Sequence, residues 1–341
     1  MKGLVVEQIG RLTLKDDLPV PQIGEYEALV KIETCMICNG TDLGVIHGKV
    51  REVPQYPVVL GHEDAGYVVK TGSRVRSFRI GDLVLRAGQP DGGPYASAWG
   101  GFAEYGVVYD YAAMQQDGVH SASQFLGITQ QICPPQMQPE DASMLITLKE
   151  TYSALVRLYA AGASSMVLIG DGPVALSLLV CGQLLGIREI YVFGNHPEKL
   201  RVAELLGAAG TFRSASETDR ARALQKLGGR IDVCVDTIGS NETVAQCFPL
   251  IHEAGIIGIY GLKSGPEIRF AAPELRNFTF QFIQWPLPQA EADCHDVVAA
   301  AVMDGRIDTK KLITHRFAID EYEKGFAAVE DRTALKVVLQ F

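Results

Sequence analysis

Cys38 and His62 are the residues whose chemistry stands out first. Cys38 opens the stretch Cys38-Asn39-Gly40-Thr41-Asp42, and His62 lies further along in Gly61-His62-Glu63. A thiolate, an imidazole and a carboxylate are donor types that a catalytic Zn²⁺ takes, and an open fourth position lets such a metal polarise an oxygen as a Lewis acid. Each fragment alone is weak, because most His-Glu dipeptides bind nothing. A second signal adds weight. Gly170-Asp171-Gly172-Pro173-Val174-Ala175 follows the apolar run Met166-Val167-Leu168-Ile169 and fits the GxGxxA form of a dinucleotide fingerprint. Gly170 and Gly172 let the backbone approach a pyrophosphate, and the helix that begins at Pro173 and Val174 supplies unpaired N–H groups and a favourable dipole. A metal that polarises an alcohol beside a nucleotide that accepts hydride is one coherent chemistry.

Such groups need elements to hold them. Over residues 1–110, short apolar or β-branched runs such as Ala28-Leu29-Val30-Lys31-Ile32 and Asp82-Leu83-Val84-Leu85 alternate with Gly, Pro and Asp. That spacing predicts an all-β, barrel-like module. Residues 111–140, rich in Gln, Ser, Pro and Met, predict a loop-rich excursion. From 148 onward strands and amphipathic helices alternate, with strands at 166–169, 190–193, 231–235 and 255–259 and helices at 174–185 and 197–206. This rhythm predicts a doubly wound parallel sheet. The last fifty or so residues predict a helix near 290–303 and a closing strand near 335–339.

Composition narrows the class. The 341 residues are 47% hydrophobic and 21% charged, ordinary for a globular protein with room for two domains. A net charge of −9 argues against nucleic acid as a partner, since phosphate binding needs a basic face. No apolar run is long enough for a membrane span, and Met1-Lys2-Gly3-Leu4-Val5-Val6-Glu7 turns polar too soon for a secretory signal. The seven cysteines are odd in number and scattered, which predicts a reducing, cytoplasmic setting rather than a disulfide framework.

With these signals placed, the chain resembles the medium-chain dehydrogenase/reductase family, the zinc-type alcohol, polyol and threonine dehydrogenases. The markers are Cys38 with Thr41-Asp42, Gly61-His62-Glu63, Gly81-Asp82-Leu83-Val84, Gly100-Gly101-Phe102-Ala103-Glu104-Tyr105 and the fingerprint at 170–175. The resemblance implies an α/β protein: a GroES-like β-barrel catalytic domain over 1–147 and 286–341, and a doubly wound Rossmann cofactor domain over 148–285. It implies Cys38 and His62 as zinc ligands, with Glu63 in the ligand set or just beside it. Asp42 would orient His62 as the acceptor for its other nitrogen, and Thr41 would accept the alcohol proton. Two plainer readings remain open. Cys38 is also read as a buried thiol, and Cys35/Cys38 as a redox CxxC, although no thioredoxin-like βαβ pattern surrounds it.

Several positions depart from the family pattern. The segment from Cys38 to Asp42 carries one residue more than the commoner Cys-Gly-Thr-Asp form. The place of the third protein ligand aligns with Ile146, which cannot bind metal. Glu150, one helical turn later on the same face, is a candidate to reach the metal, to sit near the nicotinamide, or to be a surface glutamate. Zinc would then be loosely held. Gly44 stands where the proton relay usually has His, leaving His47 or bulk water to continue it. The stretch matching a structural zinc site, 86–105, contains no cysteine, so a single catalytic zinc and no structural zinc is expected.

The coenzyme's ribose end is equally specific. NAD enzymes place an acid at the end of the second strand to hold the ribose hydroxyls. Here Val192-Phe193-Gly194-Asn195-His196-Pro197-Glu198-Lys199 puts Gly194 there, which removes a carboxylate that would repel a 2′-phosphate. Asn195, His196 and Lys199 are candidate donors, which favours NADP over NAD. By resemblance Thr237, Ile238, Gly261 and Leu262 border the adenine ribose and nicotinamide. The expected activity is a zinc-dependent, NAD(P)-linked oxidoreductase moving hydride between nicotinamide and a secondary alcohol, polyol or sugar. The expected partners are a small alcohol or carbonyl substrate and a second or further copy of the chain, as a homodimer or homotetramer, with neither nucleic acid nor membrane. The alternatives are a metal-free quinone or enoyl reductase of the same superfamily and a non-catalytic nucleotide-binding protein with a degenerate metal site.

Overall fold

A computed structural model describes the chain apart from residues 51, 52, 54, 91–93, 120–126, 262–268 and 270–276. The backbone forms two compact units, Met1–Ile146 with His295–Met303 and Ile313–Phe341, and Thr147–Cys294 with Asp304–Leu312.

The first unit is built from two sheets. One runs in the order Arg11–Lys15, Gly3–Gln8, Val58–Val59, Ala96–Ser97. The other runs Ile313–Ala318, Lys336–Gln340, Glu27–Met36, Asp64–Thr71, Leu83–Leu85, with Tyr105–Tyr109 also pairing to Glu27–Met36. Leu4, Val6, Cys35, Ile37, Leu60, Phe102, Phe326, Val337 and Leu339 form one buried cluster. The register of the second sheet gathers distant parts of the chain. Cys35 pairs antiparallel with Asp64 and with Leu339. One strand therefore ends just before Cys38, its neighbour begins just after His62 and Glu63, and the third begins at Lys336. Three separated segments reach the same end of one sheet. Backbone bonds hold that end together: Met36 N–H donates to Glu63 O at 2.9 Å and Ile37 N–H to Val337 O at 2.9 Å.

The second unit is a six-stranded, wholly parallel sheet in the order Gly210–Arg213, Glu189–Gly194, Ser165–Ile169, Ile231–Asp236, Ile251–Ile259, Thr279–Phe282. Its inner strands carry buried apolar runs such as Met166-Val167-Leu168-Ile169, as a sheet covered on both faces requires. The strand order reverses at Ser165–Ile169, and the fingerprint turn follows at that strand's carboxyl end, the place where such sheets bind ligands. At the opposite end, Asp232 staples two strands. Its Oδ2 accepts the backbone N–H groups of Ser164 and Ser165 at 2.7 and 2.9 Å and both serine hydroxyls, and its Oδ1 lies 3.0 Å from His252 Nε2. Burial opposes the charge, but these donors hold the Asp232 carboxyl down to about 2. Its contribution is therefore present above the ordinary carboxylate range and fades as pH falls from about 4 towards that folded value. Asp232→Asn is expected to cost about 1–2 kcal/mol in urea titrations at pH 7 and little at pH 2.

Two expectations change at the segment level. The 111–140 stretch is not all loop. Tyr111–Gln116 is helical, with Asp110 as its N-cap accepting Ala113 N–H at 3.0 Å, and Pro139–Arg157 is a long helix. The helix expected at 290–303 is two, Pro288–Asp293 and His295–Met303. The break falls at Cys294, where the chain leaves one unit for the other. Among the described residues no helix is long and apolar enough to cross a membrane.

Candidate functional site

Cys38, His62 and Glu63 converge. Their donor atoms all lie within 4.8 Å of one another, with His62 and Glu63 buried and Cys38 half-buried. Cys38 sits in the turn that follows Glu27–Met36, just before a short helix, Thr41–Ile46. That helix carries the two other expected residues. Thr41 is half-buried in its first turn, and Asp42 is fully buried. Asp42 does two things. Its Oδ2 accepts the backbone N–H of Cys38 at 2.8 Å, and its Oδ1 lies 3.3 Å from His62 Nδ1. One carboxylate thus fixes the thiol's backbone and faces one imidazole nitrogen, leaving Nε2 on the side of Glu63, whose Oε1 is 4.0 Å away. The His62 pKa is raised well above the usual imidazole value: burial works against its charge, but Asp42, and then Cys38, outweigh it.

Two neighbours complete the surroundings. Lys336 is buried, and its Nζ makes a short ion pair with Glu63 Oε2. Trp99 stacks at a tilt on His62 with ring centroids 5.2 Å apart, and holds a left-handed backbone, φ 67°, that a bulky residue adopts only under constraint. Beside them Asp64 is buried and accepts Ala87 N–H at 2.8 Å; burial pushes its carboxyl up to about 7.

The donor set fits zinc. Sulfur, imidazole and carboxylate are the atoms it takes, three protein donors leave a position open, and an oriented histidine is the usual support. Ile146, where the third protein ligand is expected, is fully buried in the first unit. Glu150 belongs to the second unit's part of the same helix and is half-buried. His47 is exposed at the end of Thr41–Ile46, with Nε2 3.8 Å from Glu330 Oε1.

The fingerprint belongs to the second unit. Gly172 caps the helix Pro173–Leu184 without any side-chain cap, and a Cβ added there would meet nothing within 4 Å. Open N–H groups and open space suit a pyrophosphate. Gly170 has φ 126°, and a Cβ there would collide with Thr237 Oγ1. Thr237 Oγ1 donates to Ile169 O at 2.9 Å. Asp236, buried, accepts Ile238 N–H at 2.9 Å, Gly239 N–H at 3.1 Å and Thr243 Oγ1 at 2.8 Å, which shapes the loop carrying Thr237 and Ile238. Gly261 packs directly against the Ile238 backbone, leaving no room for a side chain. Leu262 lies outside the described residues. At the second strand's end Gly194 is buried, Asn195 exposed, His196 half-buried and Lys199 buried in the helix Pro197–Leu205. Asp171, the variable residue of the fingerprint, binds the 195–196 turn.

Comparison with known proteins agrees with this geometry. The family described as "Alcohol dehydrogenase GroES-like domain" matches residues 24–123, and "Zinc-binding dehydrogenase" matches 173–300. The L-threonine 3-dehydrogenase of Chelativorans sp. (strain BNC1) is 26% identical over 358 residues, covering 100% of this chain and 99% of that protein. The sorbitol dehydrogenase of Rattus norvegicus is 25% identical over 354 residues, covering 99% and 95%. Among solved structures, alcohol dehydrogenase TADH from Thermus sp. ATN1 superposes with a TM-score of 0.82 at 22% identity over 100% of both chains. The chain belongs to the zinc-type medium-chain dehydrogenase/reductase family. Its class is that of oxidoreductases acting on CH–OH groups.

Proposed function

We propose that the protein oxidises a secondary alcohol, polyol or sugar, and reduces the corresponding carbonyl, with NADP(H) as the preferred coenzyme. The observation that carries this is the convergence of Cys38, His62 and Glu63 within 4.8 Å in a chain that also bears the dinucleotide fingerprint. Relatives named for threonine and sorbitol support a small hydroxylated substrate. When bound, zinc would supply Lewis-acid polarisation of the substrate oxygen and the nicotinamide a hydride acceptor. Cys38 and His62 would hold the metal, with Glu63 in the ligand set or just beside it and Glu150 a candidate for the third ligand missing at Ile146. Asp42 fixes the His62 ring. Thr41 takes the hydroxyl proton from the alcohol and passes it to His47 or to water, so that oxidation releases a carbonyl, reduced coenzyme and one proton. The first unit is assigned as the catalytic domain and the second as the coenzyme domain; the expected bounds, 1–147 with 286–341 and 148–285, differ from these units at 147, 286–294 and 304–312.

Gly194 favours NADP, because residue 194 adds no acid of its own and the Asp171 carboxylate beside it is already engaged by the Asn195 and His196 N–H groups. A homodimer or homotetramer is supported by Thr279–Phe282, which ends the sheet among the described residues and stands beside exposed Phe282 (57%), Trp285 (52%) and Leu287 (57%). An unpaired edge with apolar neighbours invites a second copy.

One observation favours a second reading, a metal-free reductase of the same superfamily: Ile146 is a non-ligand. Metal analysis of freshly purified protein, with an alcohol panel assayed in both coenzymes, separates the two. Near one zinc per chain with alcohol-dependent coenzyme reduction is expected, and its loss on dialysis against chelator. Undiminished turnover in metal-free protein would overturn the zinc chemistry.

A further inference from the structure

The turn between the second strand and its helix is held by an acid that the dehydrogenase reading leaves without a role. Asp171 Oδ2 accepts Asn195 N–H at 2.7 Å and His196 N–H at 2.8 Å, and His196 Nδ1 lies 3.0 Å from both Asp171 oxygens. The carboxylate fits there because residue 194 is glycine. A Cβ at Gly194 would overlap the Asp171 carboxylate and its Cβ. The acid that a diol-binding site carries at the strand end has in effect moved into the fingerprint loop, and the protein's own donors occupy it. Neighbouring groups are committed as well: the 195 and 196 N–H groups donate to Asp171, and Asn195 Oδ1 accepts Ala215 N–H at 2.8 Å. With Nδ1 facing Asp171, Nε2 is the ring nitrogen left to meet a ligand, and His196 is only half-buried. An imidazolium donates through both ring nitrogens, one to Asp171 and the other to a phosphate oxygen. Held between Asp171 and a phosphate, the ring bridges two negative groups through charge-assisted bonds.

We propose that Asp171 is a positioning residue that aims His196 Nε2 at the 2′-phosphate of NADP(H), so that this carboxylate–imidazole couple selects the coenzyme. The proposal rests on the NADP reading above. It explains why Gly194 and Asp171 occur together: a side chain at 194 would expel the acid that aims the histidine. It also gives a 2′-phosphate a directed partner beside the neutral Asn195.

The test is nucleotide binding, independent of turnover. The intact metal-loaded enzyme, His196→Gln and Asp171→Asn are titrated with NADPH and NADH by nucleotide fluorescence, with 2′,5′-ADP and 5′-AMP as competitors. The unmodified enzyme is expected to bind NADPH more tightly than NADH; the reverse order overturns the coenzyme reading and this inference with it. Given that preference, each variant is expected to lose about tenfold in affinity for NADPH and 2′,5′-ADP. NADH and 5′-AMP should stay within about twofold. The shift in Asp171→Asn, which keeps the histidine, marks positioning rather than contact. Parallel weakening of both nucleotides, or no change in their ratio, overturns the inference while the NADP reading stands. Should Asp171→Asn not fold by circular dichroism, His196→Gln decides the matter alone.

Discussion

His62→Ala and Cys38→Ser should each lower kcat/KM for the best alcohol by a factor on the order of 10³ or more, because several kcal/mol of oxygen polarisation disappear with the metal. Both side chains stand at one end of the same sheet, and neither belongs to the unit that carries the fingerprint. NADPH affinity should therefore stay near that of the unmodified enzyme, and the loss should appear in turnover and metal content together. Asp42→Asn is the informative companion. The amide keeps an oxygen for the Cys38 N–H but carries no charge towards His62 Nδ1, 3.3 Å away. Losing such a support typically costs 10–100-fold in metal affinity. Zinc-dependent activity should then be regained at high added zinc in Asp42→Asn and not in His62→Ala. Equal rescue of both, or full turnover by metal-free Cys38→Ser, would remove the metal from the mechanism.

Sequence spacing made the donors visible but not the frame that holds them. Cys38, His62 and Glu63 carry side chains with few bland uses in that combination, and the fingerprint advertises itself through two glycines. The parallel sheet followed from apolar runs alternating with helical periods, because buried parallel strands need apolar residues on both faces. Lys336 stayed hidden for a different reason. In Leu335-Lys336-Val337-Val338 it reads as the polar start of a closing strand, and only the antiparallel pairing of Val338 with Met36 brings it to Glu63. Asp171 was hidden as the variable letter of a motif whose glycines draw attention. Its function depends on the empty space at Gly194, and an absence in one strand cannot be matched to a carboxylate in another until both are folded. Tyr111–Gln116 was missed although Asp110 is a good N-cap, since its sequence has too few apolar positions to show a period. The left-handed backbone of Trp99 gave no signal, because positive φ in a bulky residue is imposed by its surroundings.

Lys336→Met should be among the most destabilising single changes in the first unit, costing about 3–5 kcal/mol in the metal-free protein. The reasoning starts from burial. Glu63 and Lys336 are each about 2% exposed, so removing the ammonium strands a carboxylate where water cannot reach it. The urea midpoint should fall with little change in slope, the signature of lost stability rather than altered compactness. Glu63→Gln/Lys336→Met together should recover most of the loss, since replacing both members of a buried pair is far cheaper than breaking it. The pair also bears on the metal. Lys336 engages Oε2, which leaves Oε1 as the Glu63 oxygen near His62 Nε2 at 4.0 Å. A carboxylate that serves the ammonium with one oxygen and the metal with the other needs no rearrangement when zinc binds. In Lys336→Met, zinc replaces the charge that the ammonium supplied beside Glu63, so saturating zinc should restore more stability to this variant than it adds to the unmodified protein. If zinc stabilises both by the same amount, Glu63 is not a metal donor, and the site is reduced to Cys38 and His62.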